Sequence, residues 1–180
     1  MENKFIKKIL TDIKVELLDE FDKNFERKAF FSKPWAARKS GKKGSLLVAS
    51  GLLRKSIRAE LTNNGIRFSS SLPYADIHNN GGEIIVTAKM KRFFWAKYYE
   101  LSGKVKINAK TRKVSKKSQR YSEEAEYYKN LALMKVGDKI VMPERKFVGN
   151  APEVNQIVKE VIEDNLKAIE TYIKIILKPK

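Results

Sequence analysis

Few residues in this sequence have the types and spacing needed for chemistry. His78 is the only histidine among 180 residues, and there is no cysteine. Without cysteine the chain can form no disulfide or thiolate nucleophile, which fits a reducing compartment, and one histidine cannot complete a zinc site. Asp76 lies two residues before His78, and this spacing favours local hydrogen bonds. A functional role for His78 is the minor alternative.

Other catalytic patterns are incomplete. Ser/His/Asp catalysis would need Ser56, Ser69 or another serine aligned with His78, but no serine lies in a nucleophile-elbow sequence. The segment Gly41–Ser45 (GKKGS) lacks the spacing of a phosphate-binding loop and has no buried strand before it. The paired carboxylates Glu123 and Glu124 are typical of a helix start. The sequence therefore predicts no enzyme, no cofactor and no metal site.

Positive charge is concentrated in the middle of the chain, whose formal net charge is +17. Residues 27–58 hold ten Lys or Arg and no acid, and residues 89–120 hold twelve against one acid, Glu100. This distribution predicts a partner of negative potential, either nucleic acid or an acidic protein surface. The alternative is that lysine-rich loops only keep the protein soluble. No apolar run approaches the roughly 18 residues of a membrane span, so we expect no membrane partner.

These charges must be positioned by two long amphipathic helices and the elements between them. Residues 3–26 place apolar side chains at three- and four-residue steps, and residues 154–177 repeat this pattern after a helix start at Asn150–Glu153. The two apolar stripes exceed what a small sheet can cover. They therefore predict a homo-oligomer.

A small antiparallel sheet is expected between the two helices. Alternating apolar residues on both sides of Asn63-Asn64-Gly65 predict a hairpin over residues 56–70. A short helix should follow and stop at Gly81-Gly82. Apolar, mostly β-branched runs near 84–88 and 139–142 predict two further strands that pair. The predicted fold class is α+β.

We expect a single domain over residues 1–180, with a basic insertion at 89–138. Within it, residues 90–101 predict a helix that buries Phe93, Phe94 and Tyr98. Residues 103–120 are predicted to be mobile, with a further helix capped near Ser122. Before the sheet, aromatic residues around Trp35 are expected to fix a loop to the core, and base stacking is the alternative.

Four motifs occur in a fixed order: Pro34-Trp35, LVASGLLRKSI over Leu47–Ile57, PYADIHNNGG over Pro73–Gly82, and PERKFVG over Pro143–Gly149. In this order they resemble the phage virion morphogenesis family, the tail-completion proteins of Mu-like and P2-like tailed phages and prophages. The chain departs from the family pattern in having Ser50 where Thr is common and Glu144 where Ala is common. Its 89–138 segment is also longer and more basic.

The resemblance implies a structural virion assembly protein that completes or joins the tail at the head–tail junction as an oligomeric ring. It implies other head–tail or tail proteins as partners, and the virion, or the host cytoplasm during assembly, as location. The family-motif residues are expected to be structural: Pro34, Trp35, Ser50, Gly51, Leu53, Arg54, Ser56, Ile57, Pro73, Tyr74, Ala75, Ile77, His78, Gly81, Gly82, Pro143, Arg145, Phe147 and Gly149.

The alternative function is a basic nucleic-acid-binding module, since the 89–120 block combines high charge with aromatic residues. Its candidate contacts to DNA or to an acidic partner are Lys91, Arg92, Lys104, Lys106, Lys110, Arg112, Lys113, Lys116, Lys117 and Arg120. Binding that falls steeply with salt would favour this alternative.

Overall fold

The chain divides into two compact units in this structure, which is a computed structural model. Residues 2–38, 46–48, 50–106 and 114–176 are described. The first unit contains Met1–Trp35, Leu47–Asn79 and Arg145–Lys180, and the second contains Ala36–Leu46 and Asn80–Glu144. The predicted insertion at 89–138 lies within the second unit.

The described residues form six helices and six short strands, which confirms the α+β class. The strands pair as three separate two-stranded antiparallel sheets, where the sequence predicted one small sheet. In chain order the elements are α1 (Glu2–Arg27), β1 (Ala29–Phe30), β2 (Lys33–Pro34), α2 (Leu52–Ser56), β3 (Ile57–Thr62), β4 (Gly65–Ser70), α3 (Ala75–Asn80), β5 (Gly82–Ile85), α4 (Ala88–Ser102), α5 (Lys116–Leu133), β6 (Lys139–Met142) and α6 (Pro152–Ile176).

In the first unit, α1 and α6 are in contact and confirm the two predicted amphipathic helices. α1 buries Leu17 and Phe21 in a core cluster, against which Val158 of α6 packs. The Phe21 ring lies 5.0 Å from that of Phe68, edge to face, so β4 covers the same stripe. Burying a Leu or Phe side chain fully contributes about 1.5–3 kcal/mol. α1 is therefore the element on which the first unit is built.

The predicted hairpin over 56–70 is confirmed by β3 and β4. Ala59 pairs with Phe68 and Leu61 with Ile66, so apolar side chains alternate on one face. The sequence did not predict the shorter hairpin of β1 and β2, in which Ala29 pairs with Pro34.

In the second unit, β5 and β6 confirm the pairing of the two predicted apolar runs, with Ile84 opposite Ile140. β5 ends at Ile85, and Val86 follows with no exposed surface. The strand does not continue to Ala88 because Thr87 caps α4, its side chain accepting a hydrogen bond from the Met90 N–H at 3.2 Å.

The helices α4 and α5 pack against each other in opposite directions. Phe94 in the middle of α4 lies 6.4 Å from Tyr128 of α5, while the Lys106 N–H beyond the end of α4 donates to Ser118 Oγ at 3.1 Å. Phe94 is buried, but Phe93 is 52% exposed, so the predicted burial of Phe93 was wrong. One helix face cannot bury two consecutive residues equally.

The predicted start of the second insertion helix near Ser122 was also wrong. α5 begins at Lys116, and the Ser115 hydroxyl caps it by accepting a hydrogen bond from the Ser118 N–H at 3.1 Å. Residues 116–120, predicted to be mobile, are thus helical. The rest of the predicted mobile segment includes residues 107–113, which lie outside the described residues.

Candidate functional site

Several motif residues meet at one stretch of the first unit, Arg145–Val148, which we call the central segment. Its main support is Asn79 in α3. The Asn79 Oδ1 atom accepts hydrogen bonds from the N–H groups of Phe147 (2.9 Å) and Val148 (3.0 Å). The Asn79 Nδ2 atom donates to the Val148 carbonyl at 3.0 Å. One side chain therefore satisfies three backbone groups of the central segment.

The second support is Asn24, a polar side chain of α1 with no exposed surface. Its Nδ2 atom donates to the Phe147 carbonyl at 3.1 Å, and its Oδ1 atom accepts from the Phe31 N–H at 2.9 Å. Phe31 has a φ of 50°, an unfavourable backbone conformation for a residue with a side chain. Asn24 thus joins the turn between β1 and β2 to the central segment.

The third support is Trp35, which confirms the prediction that this aromatic residue fixes its loop to the core. The indole N–H donates to the Lys146 carbonyl at 2.6 Å, and the side chain is buried. The Phe25 ring lies 5.6 Å from that of Trp35 and 5.0 Å from that of Phe147. The first and last sequence motifs are therefore in one aromatic cluster.

His78 also contributes to this arrangement through its backbone. Its carbonyl accepts a hydrogen bond from the Arg145 N–H at 2.9 Å, and its ring lies 6.0 Å from that of Tyr74. Burial, together with the nearby Arg145 charge, lowers the pKa of His78. Among the described residues, the buried Nδ1 atom has no hydrogen-bond partner. The lowered pKa favours the neutral ring, and within the described part of the chain its Nδ1 atom makes no hydrogen bond to a carboxylate or hydroxyl of the kind a catalytic dyad needs.

The second motif, with Ser50-Gly51, fixes α2 and the start of β3. Gly51 has a φ of 70°, which favours glycine, immediately before α2. Arg54 binds Asp22 of α1 through both Nε and a terminal nitrogen, and Glu26 at 2.7 Å. Both hydrogen bonds raise the pKa of Arg54 above its ordinary value, and the bond to Asp22 has the larger effect. The motif therefore ties α2 to the polar side of α1.

Ser56 bridges the two strands of the larger hairpin at its open end. Its hydroxyl donates to the Leu53 carbonyl at 2.7 Å and lies 2.7 Å from the Ser70 hydroxyl. Leu53 is buried, while Ile57 is half-buried. Ser50, in contrast, is exposed, and its hydroxyl accepts a long hydrogen bond from the Leu52 N–H at 3.4 Å.

In the second unit, Gly81 lies against the residues that follow β6. Its φ is 70°, and a Cβ atom there would lie 2.8 Å from the Glu144 nitrogen and 3.0 Å from the Met142 carbonyl oxygen. Only glycine fits this close approach. The neighbouring Gly82 begins β5 with a φ of 140°.

The remaining motif residues have mixed environments. Ala75 is buried and Ile77 is half-buried in α3, whereas Pro34 and Pro73 are exposed. Beyond α3, Pro143 and Gly149 are half-buried. They take no part in the contacts of Asn24, Trp35 and Asn79 with the central segment.

Sequence reasoning missed Asn24 and Asn79, which make most of the side-chain bonds to the central segment. A signal for Asn24 existed, because it lies three residues after Phe21 and so falls on the apolar stripe of α1. Asn79 is one of three residues of the third motif, with Asp76 and Asn80, that are not among the residues expected to be structural. No spacing rule distinguished it from Asn80.

The candidate cationic residues lie on α4, α5 and the ends next to them, in the second unit. Lys91 and Arg92 are in the first turns of α4, and Lys104 and Lys106 follow that helix. Lys116, Lys117 and Arg120 are exposed in the first turns of α5. Lys110, Arg112 and Lys113 lie outside the described residues. The described candidates therefore occupy both ends of the α4–α5 pair.

One group of acidic residues on α1 has the spacing of a cation site. Oxygen atoms of Glu16, Asp19 and Glu20 lie within 4.8 Å of one another. Lys23, however, binds Asp19 at 2.6 Å and Glu20 at 2.7 Å, and Arg27 binds Glu20 at 2.5 Å. The cluster is therefore an ion-pair network on a helix surface. Among the described residues, no helix is long and apolar enough to cross a membrane.

Comparison with known proteins gives one match. The model of the phage virion morphogenesis family matches residues 6–167. No curated protein and no solved structure matches the chain. The matched range includes all four sequence motifs and most of both α1 and α6.

Proposed function

Because this chain belongs to the phage virion morphogenesis family, we propose that it completes or joins the phage tail at the head–tail junction. Membership in the family implies a role in virion or tail assembly, with other phage proteins as partners. The match over residues 6–167 carries the proposal. The protein would act in the virion, or in the host cytoplasm during assembly.

The chemistry of the motif residues supports a structural role over an enzymatic one. The family is a structural morphogenesis family, generally without enzymatic activity. Trp35 and Phe147 are buried in one aromatic cluster around Phe25, and the backbone N–H of Arg145 donates a hydrogen bond to the His78 carbonyl. Such contacts hold a fold together, which is the role that a structural protein requires of its motif residues.

A homo-oligomer is supported by an apolar row on α6, which we call the α6 seam: Ile162, Leu166, Ile169, Ile173 and Ile176. The steps between these residues are four, three, four and three, the spacing of a coiled-coil seam. Leu166 and Ile173 are each 47% exposed and Ile176 is 60% exposed. Ile169 is half-buried, and the α6 residues that pack against the core cluster are a different set, Val154, Ile157, Val158 and Val161.

The composition of the α6 seam favours other copies of the same helix as its cover. If Leu166 and Ile173 are the a positions of a heptad, all three d positions are isoleucine. Leucine at a with isoleucine at d favours more than two parallel helices. This preference is compatible with a ring of subunits.

The oligomer is tested by placing two charges on the seam. Native mass spectrometry of the wild type should give a mass above the 20.7 kDa of one chain, whereas the double variant Leu166→Asp, Ile173→Asp should give one chain. The matched variant Ala168→Asp, Thr171→Asp puts two acids at exposed positions of α6 outside the seam and should keep the wild-type mass. A wild-type monomer at high concentration with the neighbouring virion proteins present would overturn the oligomer.

The role in tail assembly is tested in a phage that encodes this protein. Deletion of the gene should leave filled heads and separate tails in electron micrographs, and the wild-type gene supplied in trans should restore joined particles. Joined, infectious particles without the gene would refute the proposed function.

A further inference from the structure

The proposed assembly role leaves unexplained the cationic end of the α4–α5 pair, formed by Lys104, Lys106, Lys116, Lys117 and Arg120. All five side chains are exposed. The bond from the Lys106 N–H to Ser118 Oγ (3.1 Å) holds the segment after α4 against the first turn of α5. We propose that this cationic end binds the phosphate backbone of double-stranded DNA without sequence preference.

Most of the positive charge of the cationic end is not neutralised by an acidic side chain in the described part of the chain. Lys104 binds Glu100 at 2.6 Å, and Glu100 is also bound by Lys97 at 2.7 Å. These two hydrogen bonds lower the pKa of Glu100 to about 2, and the bond from Lys104 has the larger effect. The other four cations have no ion pair among the described residues. Their field is therefore available to an external anion.

Helix stability does not explain the cations at the start of α5. Lys116 and Lys117 occupy its first turn, which contains no acidic residue. A cation there is repelled by the positive end of the helix dipole, so its position does not stabilise the helix. The two lysines and the helix dipole together raise the positive potential that a phosphate would meet at the start of α5.

The neighbouring side chains favour DNA over an acidic protein. Four of the five cations are lysines, and the exposed polar residues beside them are Ser115 and Gln119. Lysine is depleted in protein–protein interfaces, whereas Lys, Arg, Ser and Gln side chains are the usual donors to DNA phosphates. The cationic end therefore has the composition of a phosphate-binding surface.

The aromatic residues of α4 favour a duplex over a single strand. Tyr99 is 66% exposed, but its ring is stacked on that of Trp95, with centroids 5.8 Å apart and an interplanar angle of 24°. Single-strand binding relies on ring faces that are open to bases. Duplex binding needs only the phosphates.

The experiment measures the affinity of the full chain for a fluorescent DNA duplex as a function of salt. The variant Lys116→Gln, Lys117→Gln, Arg120→Gln removes three charges from the cationic end. The control Lys129→Gln, Lys135→Gln, Lys139→Gln removes three charges elsewhere in the second unit, so both variants have a net charge of 17 − 3 = +14. Circular dichroism checks that α5 remains folded.

Wild-type affinity should fall steeply between about 50 and 200 mM salt, and the first variant should reduce the slope of log K against log salt by about 3, since each phosphate contact contributes about 0.9. The control should stay within about threefold of the wild type, because its charges lie away from the duplex. Equal losses in both variants would overturn the proposal, as would an absence of duplex binding at the lowest salt. Tighter binding of poly-glutamate than of duplex, lost in the first variant, would assign the surface to an acidic protein instead.

The proposal is independent of the oligomer. Native mass spectrometry of the first variant should give the wild-type mass, and a changed mass would attribute the lost affinity to assembly and overturn the proposal. A wild-type monomer that binds duplex through the cationic end would refute the oligomer and leave the DNA surface standing.

Discussion

Asn79 and Val148 form a closed pair of hydrogen bonds. The Val148 N–H donates to Asn79 Oδ1 and the Asn79 Nδ2 donates to the Val148 carbonyl, both at 3.0 Å. This is the pattern by which one β-strand binds another, made here by a side chain. The Asn79 side chain thus satisfies the backbone N–H and carbonyl groups of an irregular segment, as a neighbouring strand would in a sheet.

Replacing Asn79 by alanine should lower the free energy of unfolding by about 3 kcal/mol, since three part-buried backbone groups lose their partner and each loss costs about 1 kcal/mol, the low end of the range for an unsatisfied group. Urea denaturation measures the loss. Asn155→Ala on the exposed face of α6 is the control and should stay within about 0.5 kcal/mol of the wild type. Equal effects at both positions would contradict the role of Asn79.

Two substitutions of Trp35 should separate the contribution of its hydrogen bond to stability from the contribution of its burial. Trp35→Phe loses the bond to the Lys146 carbonyl and should cost about 1–2 kcal/mol, while Trp35→Ala also empties the cluster with Phe25 and should cost about 3–5 kcal/mol. Thermal unfolding of the two variants gives the comparison. Trp95→Phe, where the indole N–H has no partner among the described residues, should cost under about 1 kcal/mol.

Replacing Gly81 by alanine should destabilise the second unit more than the same change at Gly137. Both glycines have positive φ, 70° and 96°, which costs alanine about 1–2 kcal/mol. Only at Gly81 does the new Cβ meet backbone, 2.8 Å from the Glu144 nitrogen, and the clash should add at least about 1 kcal/mol. Chemical denaturation followed in both variants tests the difference; similar losses would mean that the contact with Glu144 relaxes freely.

The stability of the first unit should fall as the pH is lowered. Burial and the Arg145 charge depress the pKa of His78 in the folded state, so the unfolded chain takes up a proton first. The stabilisation by His78 is thus complete above its unfolded pKa of about 6.5 and is lost as the pH falls through the folded pKa. The free energy of unfolding should decrease more between neutral and mildly acidic pH in the wild type than in His78→Gln. Parallel pH profiles would show that other groups dominate.

The sequence predicts the elements whose periodicity is carried by large side chains. Phe21 and its neighbours in α1, and the alternation around Asn63-Asn64 in the hairpin, each correspond to an observed element. The sequence predicts the start of α5 near Ser122 and not at Lys116, because the buried residues of this helix are small. They are Ser118, Ala125 and Ala132, spaced seven residues apart. A search for large apolar side chains does not see such a stripe.

The central segment could be predicted only in part. The motifs indicate Trp35 and Phe147, whose aromatic rings mark a core. The bonds from Asn24 and Asn79 to the backbone depend on residues far apart in the sequence. From the sequence alone, a polar residue in a helix, such as Asn24 or Asn79, is expected to face the solvent.

The bond between Asn24 and Phe147 joins residues 123 positions apart. During synthesis α1 is made before the acceptor for the buried Asn24 amide, which lies 123 residues further along the chain. Until then that amide has no partner in the central segment, and closing so long a loop is slow. The contact between α1 and the central segment can therefore form only after Phe147 has been synthesised, so α1 cannot reach its final packing when it is first made.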